Sequence, residues 1–312
     1  MGVNPLTRHV ICTTYTPGHE HDARGAGGPD PMTAVVPGAW REASSAGQTF
    51  RFIDSGEGPL VVLLHGFPDV PDSWDAIRQR LNAEGYRTVV PYLRGYHPAT
   101  FSKRSFKTRD LAEDHVLLLD ALGESSAVVV GHDWGASVAY GAATMYPQRV
   151  TKLVAIGIPH PLTLRPKPKE APYGRHFLYF KLPWASLTAK AFDLKLVDRL
   201  YRRWSPHWDG PARDEAVAES VQALRDKRVL RNALAYYKAL NPFDRSLRPK
   251  IAVPGLVVGG SDDPPVVQRA YAATPSRFGG PCEVRVLDGA GHWPHREREA
   301  EFLDVLLAFL AR

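Results

Sequence analysis

The chain has 312 residues, of which 44% are hydrophobic and 23% charged, which is enough for a large domain with an insertion. Its formal net charge of +6 does not predict nucleic-acid binding, because we find Lys and Arg spread along the chain without one aromatic-rich cluster. No apolar stretch approaches the roughly 20 residues that cross a bilayer. The two cysteines, Cys12 and Cys282, cannot build a disulfide framework. We therefore expect a cytoplasmic protein with no membrane span and no nucleic-acid partner.

The first segment, residues 1–34, is rich in Gly, Pro, His and Thr and follows neither apolar period. We interpret it as a disordered leader, or as sequence upstream of a start at Met32. It contains His9, His19 and His21, but a segment without fixed geometry favours a solvated tail over a metal site.

Strand-like and helix-like segments then alternate through residues 35–158 and 249–312. The strand-like segments are mostly continuous apolar runs, as expected of strands buried on both faces. They are Thr49–Ile53, Leu60–Leu64, Thr88–Tyr92, Ala127–Val130, Lys152–Ile156, Val253–Val258 and Val284–Leu287. Helical patterns cover Ser73–Asn82, Thr108–Leu122, Ala136–Tyr146 and Arg298–Leu310. This alternation predicts an α/β fold with a mostly parallel central sheet flanked by helices.

The alternation stops in residues 159–248, where helical patterning replaces the buried strands. Because this stretch lies between two strand-like segments, it predicts a helical cap inserted over the sheet. The aromatic residues of this stretch indicate an apolar pocket, although they could equally pack the cap itself. They include Phe177, Phe180, Trp184 and Trp204.

The most specific motif is a strand that runs directly into a helix around Asp133. Gly131 and Gly135 stand two residues before and after it, which is the spacing of a nucleophile elbow. The same glycines could ease an ordinary tight turn, but the preceding strand and the following helix are the context that an elbow requires. The pattern therefore predicts Asp133 as a nucleophile.

A carboxylate at this position selects a different chemistry from the usual serine. An aspartate is already ionised at neutral pH, so it needs no base to activate it. It can attack a saturated carbon, displace an alkoxide or a halide, and form an alkyl-enzyme ester. Water must then attack the carboxyl carbon, and this second step needs a general base. Substrates with a saturated electrophilic carbon are therefore favoured over ordinary esters.

The motifs together resemble the epoxide hydrolases of the α/β-hydrolase fold, in the branch with an Asp nucleophile that also contains haloalkane and haloacetate dehalogenases. The resemblance rests on Asp133, on Leu64-His-Gly-Phe-Pro68 and on Arg94-Gly-Tyr96, and it extends from about residue 37 to the C-terminus. It implies that the backbone N–H groups of Phe67 and Trp134 form an oxyanion hole. It also implies that the protein needs no cofactor and no metal ion.

A histidine and a second carboxylate complete the predicted triad. His292 follows the last strand, and the order nucleophile, acid, histidine is the one expected of this fold. The loop after the preceding strand offers both Asp262 and Asp263. Alignment of Gly260 with the glycine of the family favours Asp263 as the acid that orients His292. Asp262 is then a turn residue.

The resemblance further implies that cap side chains donate protons to the epoxide oxygen. The family usually uses two tyrosines, and Tyr237 matches the second, although an aromatic pair such as Tyr236 and Tyr237 more commonly packs. His176 takes the place of the first tyrosine and can donate from its ring N–H. A structural role for His176 remains open, with Tyr173 or Tyr179 as the alternative donor.

Three functions are compatible with these residues. The first is an epoxide hydrolase that converts a mostly apolar epoxide to a vicinal diol. The second is a haloalkane or haloacetate dehalogenase with the same triad, which is weakened because Phe67, Trp134 and Ser137 stand where those families place further halide or carboxylate ligands. The third is a non-catalytic ligand-binding protein, which would have no use for a general base. We expect the first function, and a homodimer is compatible with the sequence.

Overall fold

The computed structural model describes residues 38–241 and 244–312, together with the short strand Thr13–Thr14. Apart from Thr13 and Thr14, residues 1–34 lie outside the described residues. The predicted leader, its three histidines and the alternative start at Met32 fall in this stretch.

A single mixed sheet forms the centre of the molecule. Its strands are β1 (Thr13–Thr14), β2 (Trp40–Ser45), β3 (Gln48–Ser55), β4 (Leu60–Leu64), β5 (Arg87–Pro91), β6 (Ala127–His132), β7 (Val150–Ile156), β8 (Gly255–Gly260) and β9 (Cys282–Leu287). Their spatial order is β1-β2-β3-β5-β4-β6-β7-β8-β9. The pairs from β5 to β9 are parallel, whereas β1, β2 and β3 pair antiparallel at one edge. The carboxyl ends of the parallel strands therefore meet at one side of the sheet.

Helices cover both faces of the sheet. They are α1 (Asp75–Ala83), α2 (Thr108–Leu122), α3 (Trp134–Met145), α4 (Arg175–Lys181), α5 (Ala185–Ala191), α6 (Lys195–Trp204), α7 (Pro211–Leu224), α8 (Lys227–Ala239), α9 (Pro265–Ala273), α10 (Pro294–Glu297) and α11 (Glu299–Leu310). Successive residues of β4 enter two different apolar clusters. Val61 and Leu63 pack with α1 and α11, and Val62 and Leu64 pack with α2 and α3. Burial of both strand faces explains the continuous apolar runs in the sequence.

The expected α/β fold is confirmed, and each expected strand and helix is present within a few residues. The sequence did not predict β1 and β2, two polar strands at one side of the sheet, or α9, which begins at Pro265. The expected helix start at Ser73 is wrong by two residues, because its hydroxyl donates to the carbonyl of Val70 at 2.7 Å in a 3₁₀ turn, and α1 begins at Asp75.

A helical insert containing α4–α8 lies between β7 and β8, as the sequence predicted. The segment Arg94–Tyr96 joins the insert to the core. The carbonyl of Arg94 accepts a hydrogen bond from the Tyr236 hydroxyl on α8 at 2.9 Å. Gly95 has φ +84°, and a Cβ there would lie 2.6 Å from Cβ of Asn232 on the same helix. The glycine is required because α8 approaches the core backbone so closely.

Among the described residues, no helix combines the length and apolar character of a membrane span.

Candidate active site

The turn between β6 and α3 places Asp133 at the carboxyl side of the sheet. Asp133 has φ 52° and ψ −115°, a backbone conformation that residues other than glycine rarely adopt. A Cβ on Gly131 would lie 2.2 Å from the carbonyl oxygen of Gly135, and one on Gly135 would lie 2.2 Å from that of Leu64. The two glycines therefore allow a turn so tight that larger residues cannot occupy it.

The two oxygens of the Asp133 carboxylate have different neighbours. Oδ1 accepts the backbone N–H of Phe67 at 2.8 Å, and Oδ2 lies 3.4 Å from Nε2 of His292. The side chain is buried, since only 8% of Asp133 is exposed. A carboxylate in this setting has one oxygen held by an amide and the other free to meet a substrate carbon.

The loop that carries Phe67 is fixed by the neighbouring His65. Its Nδ1 donates to the carbonyl of Gly66 at 3.0 Å, and its Nε2 accepts the N–H of Leu93 at 3.0 Å. Burial lowers the pKa of His65 to about 4, so the imidazole is neutral, as these bonds require. A Cβ on Gly66 would lie 2.3 Å from Cβ of Asp133, which explains the glycine next to Phe67.

Trp134 begins α3, where backbone N–H groups have no partner within the helix. This amide directly follows the nucleophile in sequence, as a second oxyanion donor would. The indole ring meets the ring of Tyr237 edge-on, with 5.0 Å between centroids. The buried indole N–H interacts with the Tyr237 hydroxyl, whose pKa it lowers against the larger effect of burial.

His292 lies on the loop between β9 and α10 and is 8% exposed. Burial alone would lower its pKa, but the adjacent charge of Asp133, followed by those of Asp263 and Glu297, outweighs burial and raises the pKa. Glu297 also braces the loop, because its carboxylate accepts the N–H groups of Gly291 and Trp293, each at 2.9 Å. No sequence motif pointed to Glu297.

Asp263 and Asp262 face opposite directions at the end of β8. Asp263 is buried, and its Oδ2 accepts the Tyr271 hydroxyl at 2.8 Å. Burial raises the pKa of Asp263 to about 6, against the lowering effect of His292. Within the described residues, Asp263 and His292 interact through charge and share no side-chain hydrogen bond. Asp262 instead contacts the exposed imidazole of His207, with 2.6 Å between Oδ2 and Nδ1, so Asp263 is the better placed partner for His292.

The cap brings His176 and Tyr237 together above the nucleophile. Their ring centroids are 6.2 Å apart, and both side chains interact with the charge of Asp133. Burial lowers the pKa of His176 to about 4, so its imidazole is neutral and keeps one N–H. Burial and the charge of Asp133 raise the pKa of Tyr237 well above its usual value, so the phenol retains its proton. Both groups are therefore hydrogen-bond donors at neutral pH.

The other cap tyrosines point elsewhere. The Tyr236 hydroxyl is bonded to the core through Arg94, and that of Tyr179 lies 2.7 Å from Oγ1 of Thr188. Tyr173 is 44% exposed. None of the three competes with His176 for a place beside Tyr237.

Three of the four expected pocket aromatics surround this pair. Phe177 and Phe180 lie 5.5 Å and 4.7 Å from the ring of Tyr237, and Trp204 lies 5.1 Å from that of His176. The expectation for Trp184 is wrong, because this side chain is 52% exposed on the outer face of the cap. The α4–α5 connection turns it outward.

A buried polar cluster that the sequence analysis missed lies beneath His292. Asp69, His132 and His295 bring potential ligand atoms within 4.8 Å of one another, the spacing of a metal site. However, Arg296 lies 3.8 Å from the Asp69 carboxylate and already balances its charge. Nε2 of His132 also donates to the carbonyl of His292 at 2.9 Å. We therefore interpret the cluster as a polar support for the His292 loop.

The fold and this geometry agree with the family comparison. Residues 59–299 match the sequence model described as alpha/beta hydrolase fold, and the chain belongs to this family.

Within the family, the chain is similar to several proteins named epoxide hydrolases. It is 29% identical to an epoxide hydrolase from Caballeronia sordidicola over 89% of this chain and 96% of that protein. It is 28% identical to epoxide hydrolase A from Mycobacterium tuberculosis over 86% and 96% of the two chains. The crystal structure of epoxide hydrolase A from Mycobacterium thermoresistibile is similar with a TM-score of 0.75 and 26% identity, over 88% of this chain and 98% of that one.

Proposed function

We propose that the protein is an epoxide hydrolase that opens a small apolar epoxide to a vicinal diol through an ester on Asp133. One observation carries the proposal. The buried Asp133 carboxylate has its Oδ1 bonded to the N–H of Phe67 and its Oδ2 3.4 Å from Nε2 of His292, while Tyr237 and His176 face it from the cap. The nucleophile, its base and two proton donors thus surround one small volume.

In the first step, Oδ2 of Asp133 attacks a ring carbon of the epoxide. A new carbon–oxygen bond forms to the carboxylate as the bond between that carbon and the ring oxygen breaks. The developing alkoxide takes a proton from Tyr237, with the ring N–H of His176 as the second donor. The product of this step is a hydroxyalkyl ester of the enzyme.

In the second step, His292 removes a proton from water, and the resulting hydroxide attacks the carboxyl carbon of Asp133. Negative charge develops on Oδ1, where the N–H of Phe67 already points and the N–H of Trp134 adds a second donor. The bond between the carboxyl carbon and Oδ2 then breaks, and the leaving alkoxide takes the proton held by His292 to give the diol. The carboxyl group, which now carries the oxygen of water, loses its remaining proton to the Tyr237 phenolate, and both the carboxylate and the phenol are restored. Asp263 stabilises the imidazolium form of His292 during this step.

The substrate class follows from the residues around the proton donors. Phe177, Phe180 and Trp204 present apolar surface next to Tyr237 and His176. A substrate with apolar substituents on the epoxide ring gains from burial against these rings.

A haloalkane dehalogenase is the second candidate, favoured by one observation. The indole N–H of Trp134 is buried beside the Tyr237 hydroxyl and would be a suitable donor to a halide ion that replaced this contact. The opposing observation is that Phe67 contributes no side-chain donor. A dehalogenase would therefore rely on His176 or Tyr237 for the second contact.

A substrate panel separates these candidates. The purified chain is offered apolar epoxides and haloalkanes of matched size, and diol and halide are quantified, with Asp133→Asn as the control without a nucleophile. Diol formation without halide release supports the proposal. Halide release with the epoxides unchanged assigns the dehalogenase, and turnover of neither class would favour a binding protein.

A further inference from the structure

The outer surface of the cap carries a concentrated apolar patch. Seven large hydrophobic side chains are exposed among the described residues, and five of them lie within residues 173–192. These five are Tyr173 (44% exposed), Leu178 (74%), Trp184 (52%), Leu187 (72%) and Phe192 (69%). We call them the outer cap patch. Monomeric proteins expose single apolar residues commonly, but a cluster of this kind indicates an interaction surface.

The patch lies on and around two neighbouring helices of the cap. Leu178 lies on α4, Leu187 lies on α5, and the two helices contact each other and both pack against α8. Trp184 stands in the short connection between them. Lys181 reaches from the end of α4 to the carbonyl of Leu240, a further exposed apolar residue, at 3.2 Å. The helices that carry Leu178 and Leu187 are therefore neighbours in space as well as in sequence.

The same region holds a strong positive charge. Residues 165–203 contain ten Lys and Arg but three Asp and Glu, a net charge of +7 that exceeds the +6 of the whole chain. Residues 171–192, which contain the patch, have no acidic residue, and Arg175, Lys181 and Lys190 are all exposed there. The positive charge of the chain is thus concentrated in the same stretch of sequence that carries the patch.

An open cleft of about 340 Å³ extends this charge beside Tyr173. Its lining includes Lys167 and Lys169, while the carboxylate of Glu170 is occupied by Arg269 at 2.8 Å. The cleft therefore offers ammonium groups, and an anionic group would be its complementary ligand.

We propose that the outer cap patch binds peripherally to a bilayer that contains anionic lipids. Aromatic and aliphatic side chains with surrounding lysines match the boundary between acyl chains and negatively charged headgroups. A second copy of the chain is less complementary, because a twofold interface would place the same cations of both copies against one another. The inference is independent of the epoxide chemistry.

If the proposed function is also correct, one face of α4 lines the active site and the opposite face contacts the bilayer. His176 and Phe180 face the active site, and Leu178 faces outward on the same helix. An apolar epoxide dissolved in the bilayer would then meet the outer wall of the pocket that uses it.

The test is vesicle flotation of the full chain. Vesicles of phosphatidylcholine alone are compared with vesicles of phosphatidylcholine and phosphatidylglycerol. We expect roughly tenfold stronger binding or more to the anionic vesicles, given the several exposed cations. Two double variants, Leu187→Ser/Phe192→Ser and Lys181→Glu/Lys190→Glu, should each weaken this binding by about tenfold.

Matched controls come from the core. Val286→Ser removes an exposed apolar side chain from β9, and Lys250→Glu reverses an exposed charge before β8. Both should bind like the unaltered chain, and thermal unfolding checks that all variants fold. Absence of binding to anionic vesicles, or equal binding by the Leu187→Ser/Phe192→Ser variant, would overturn the proposal. A dimer in sedimentation that this variant abolishes would assign the patch to a second copy instead.

Discussion

Oδ2 of Asp133 lies 3.4 Å from Nε2 of His292, and the charge of the carboxylate raises the pKa of the imidazole despite its burial. This proximity couples the two proposed chemical steps. When Asp133 becomes an ester, its negative charge disappears, and the imidazole loses the main interaction that favours its protonated form. Formation of the ester therefore favours the neutral imidazole, which is the form of His292 that must accept a proton from water in the second step.

The coupling predicts a shift in titration. In Asp133→Asn, the charge that raises the pKa of His292 is removed while burial remains, so the imidazole should titrate at lower pH than in the unaltered chain. Histidine NMR signals followed against pH measure the shift. Asp262→Asn, which alters a carboxylate bound to His207, should leave the His292 curve in place. An unchanged curve in Asp133→Asn would contradict the coupling.

Removal of the base should trap the ester. We expect His292→Ala to form the intermediate but to lose turnover by about 10³-fold or more, because no group remains to activate water. Mass spectrometry after incubation with an epoxide should find the added mass on the peptide that contains Asp133. The double variant Asp133→Asn/His292→Ala is the matched control and should carry no adduct. An adduct on another residue would refute Asp133 as the nucleophile.

The two neighbouring aspartates should differ sharply. Asp263 interacts with His292 through charge, so Asp263→Asn should lower kcat by roughly 10²–10⁴-fold. Asp262→Asn removes a contact with the exposed His207 and should change kcat by less than about twofold, since such surface pairs contribute little. Steady-state kinetics decide between them. The opposite ranking would mean that Asp262 is the functional acid.

Tyr236 provides an internal control for the proposed role of its neighbour Tyr237. Tyr237→Phe removes the proposed proton donor and should slow ester formation by about 10²-fold. Tyr236→Phe leaves the carbonyl of Arg94 without its partner, which should cost about 1–2 kcal/mol of unfolding free energy with little effect on kcat. Rapid-mixing kinetics and denaturant unfolding separate the two effects. Equal kinetic losses would argue against a specific role for Tyr237.

His176 should act as a neutral donor. Its pKa of about 4 leaves it uncharged above that pH, so its contribution as a donor should be constant from pH 5 upward. His176→Gln keeps an N–H and should retain more activity than His176→Leu of similar size. The pH profile of kcat and the ranking of the two variants provide the measurement. Equal activity of both would indicate a packing role.

The sequence predicted the features that depend on local backbone geometry. The glycines around Asp133 specify the elbow because a Cβ at either position would meet neighbouring backbone, and that constraint is visible in a short motif. The buried strands could equally be predicted from the sequence, since both faces of each strand are buried and their residues form continuous apolar runs. β2 was missed because Trp40–Ser45 is only partly buried and has a polar sequence.

The features that were missed depend on contacts between distant segments. Asp69, His132 and His295 each flank a recognised motif, but only the folded chain places them around one buried point. The outward direction of Trp184 depends on how α5 packs against α8, which helical periodicity does not specify. The excess of Lys and Arg in residues 165–203 was visible in the sequence, but that it accompanies a set of exposed apolar side chains was not.

The bond between the Tyr236 hydroxyl and the Arg94 carbonyl has a consequence for the next residue along α8. Consecutive side chains on a helix point about 100° apart, so fixing the direction of one fixes the direction of the other. The hydrogen bond of Tyr236 fixes the rotation of α8 about its own axis. The direction of the Tyr237 side chain is fixed by the same rotation. Changes elsewhere in the cap can therefore reshape the chamber without turning this phenol away from the carboxylate.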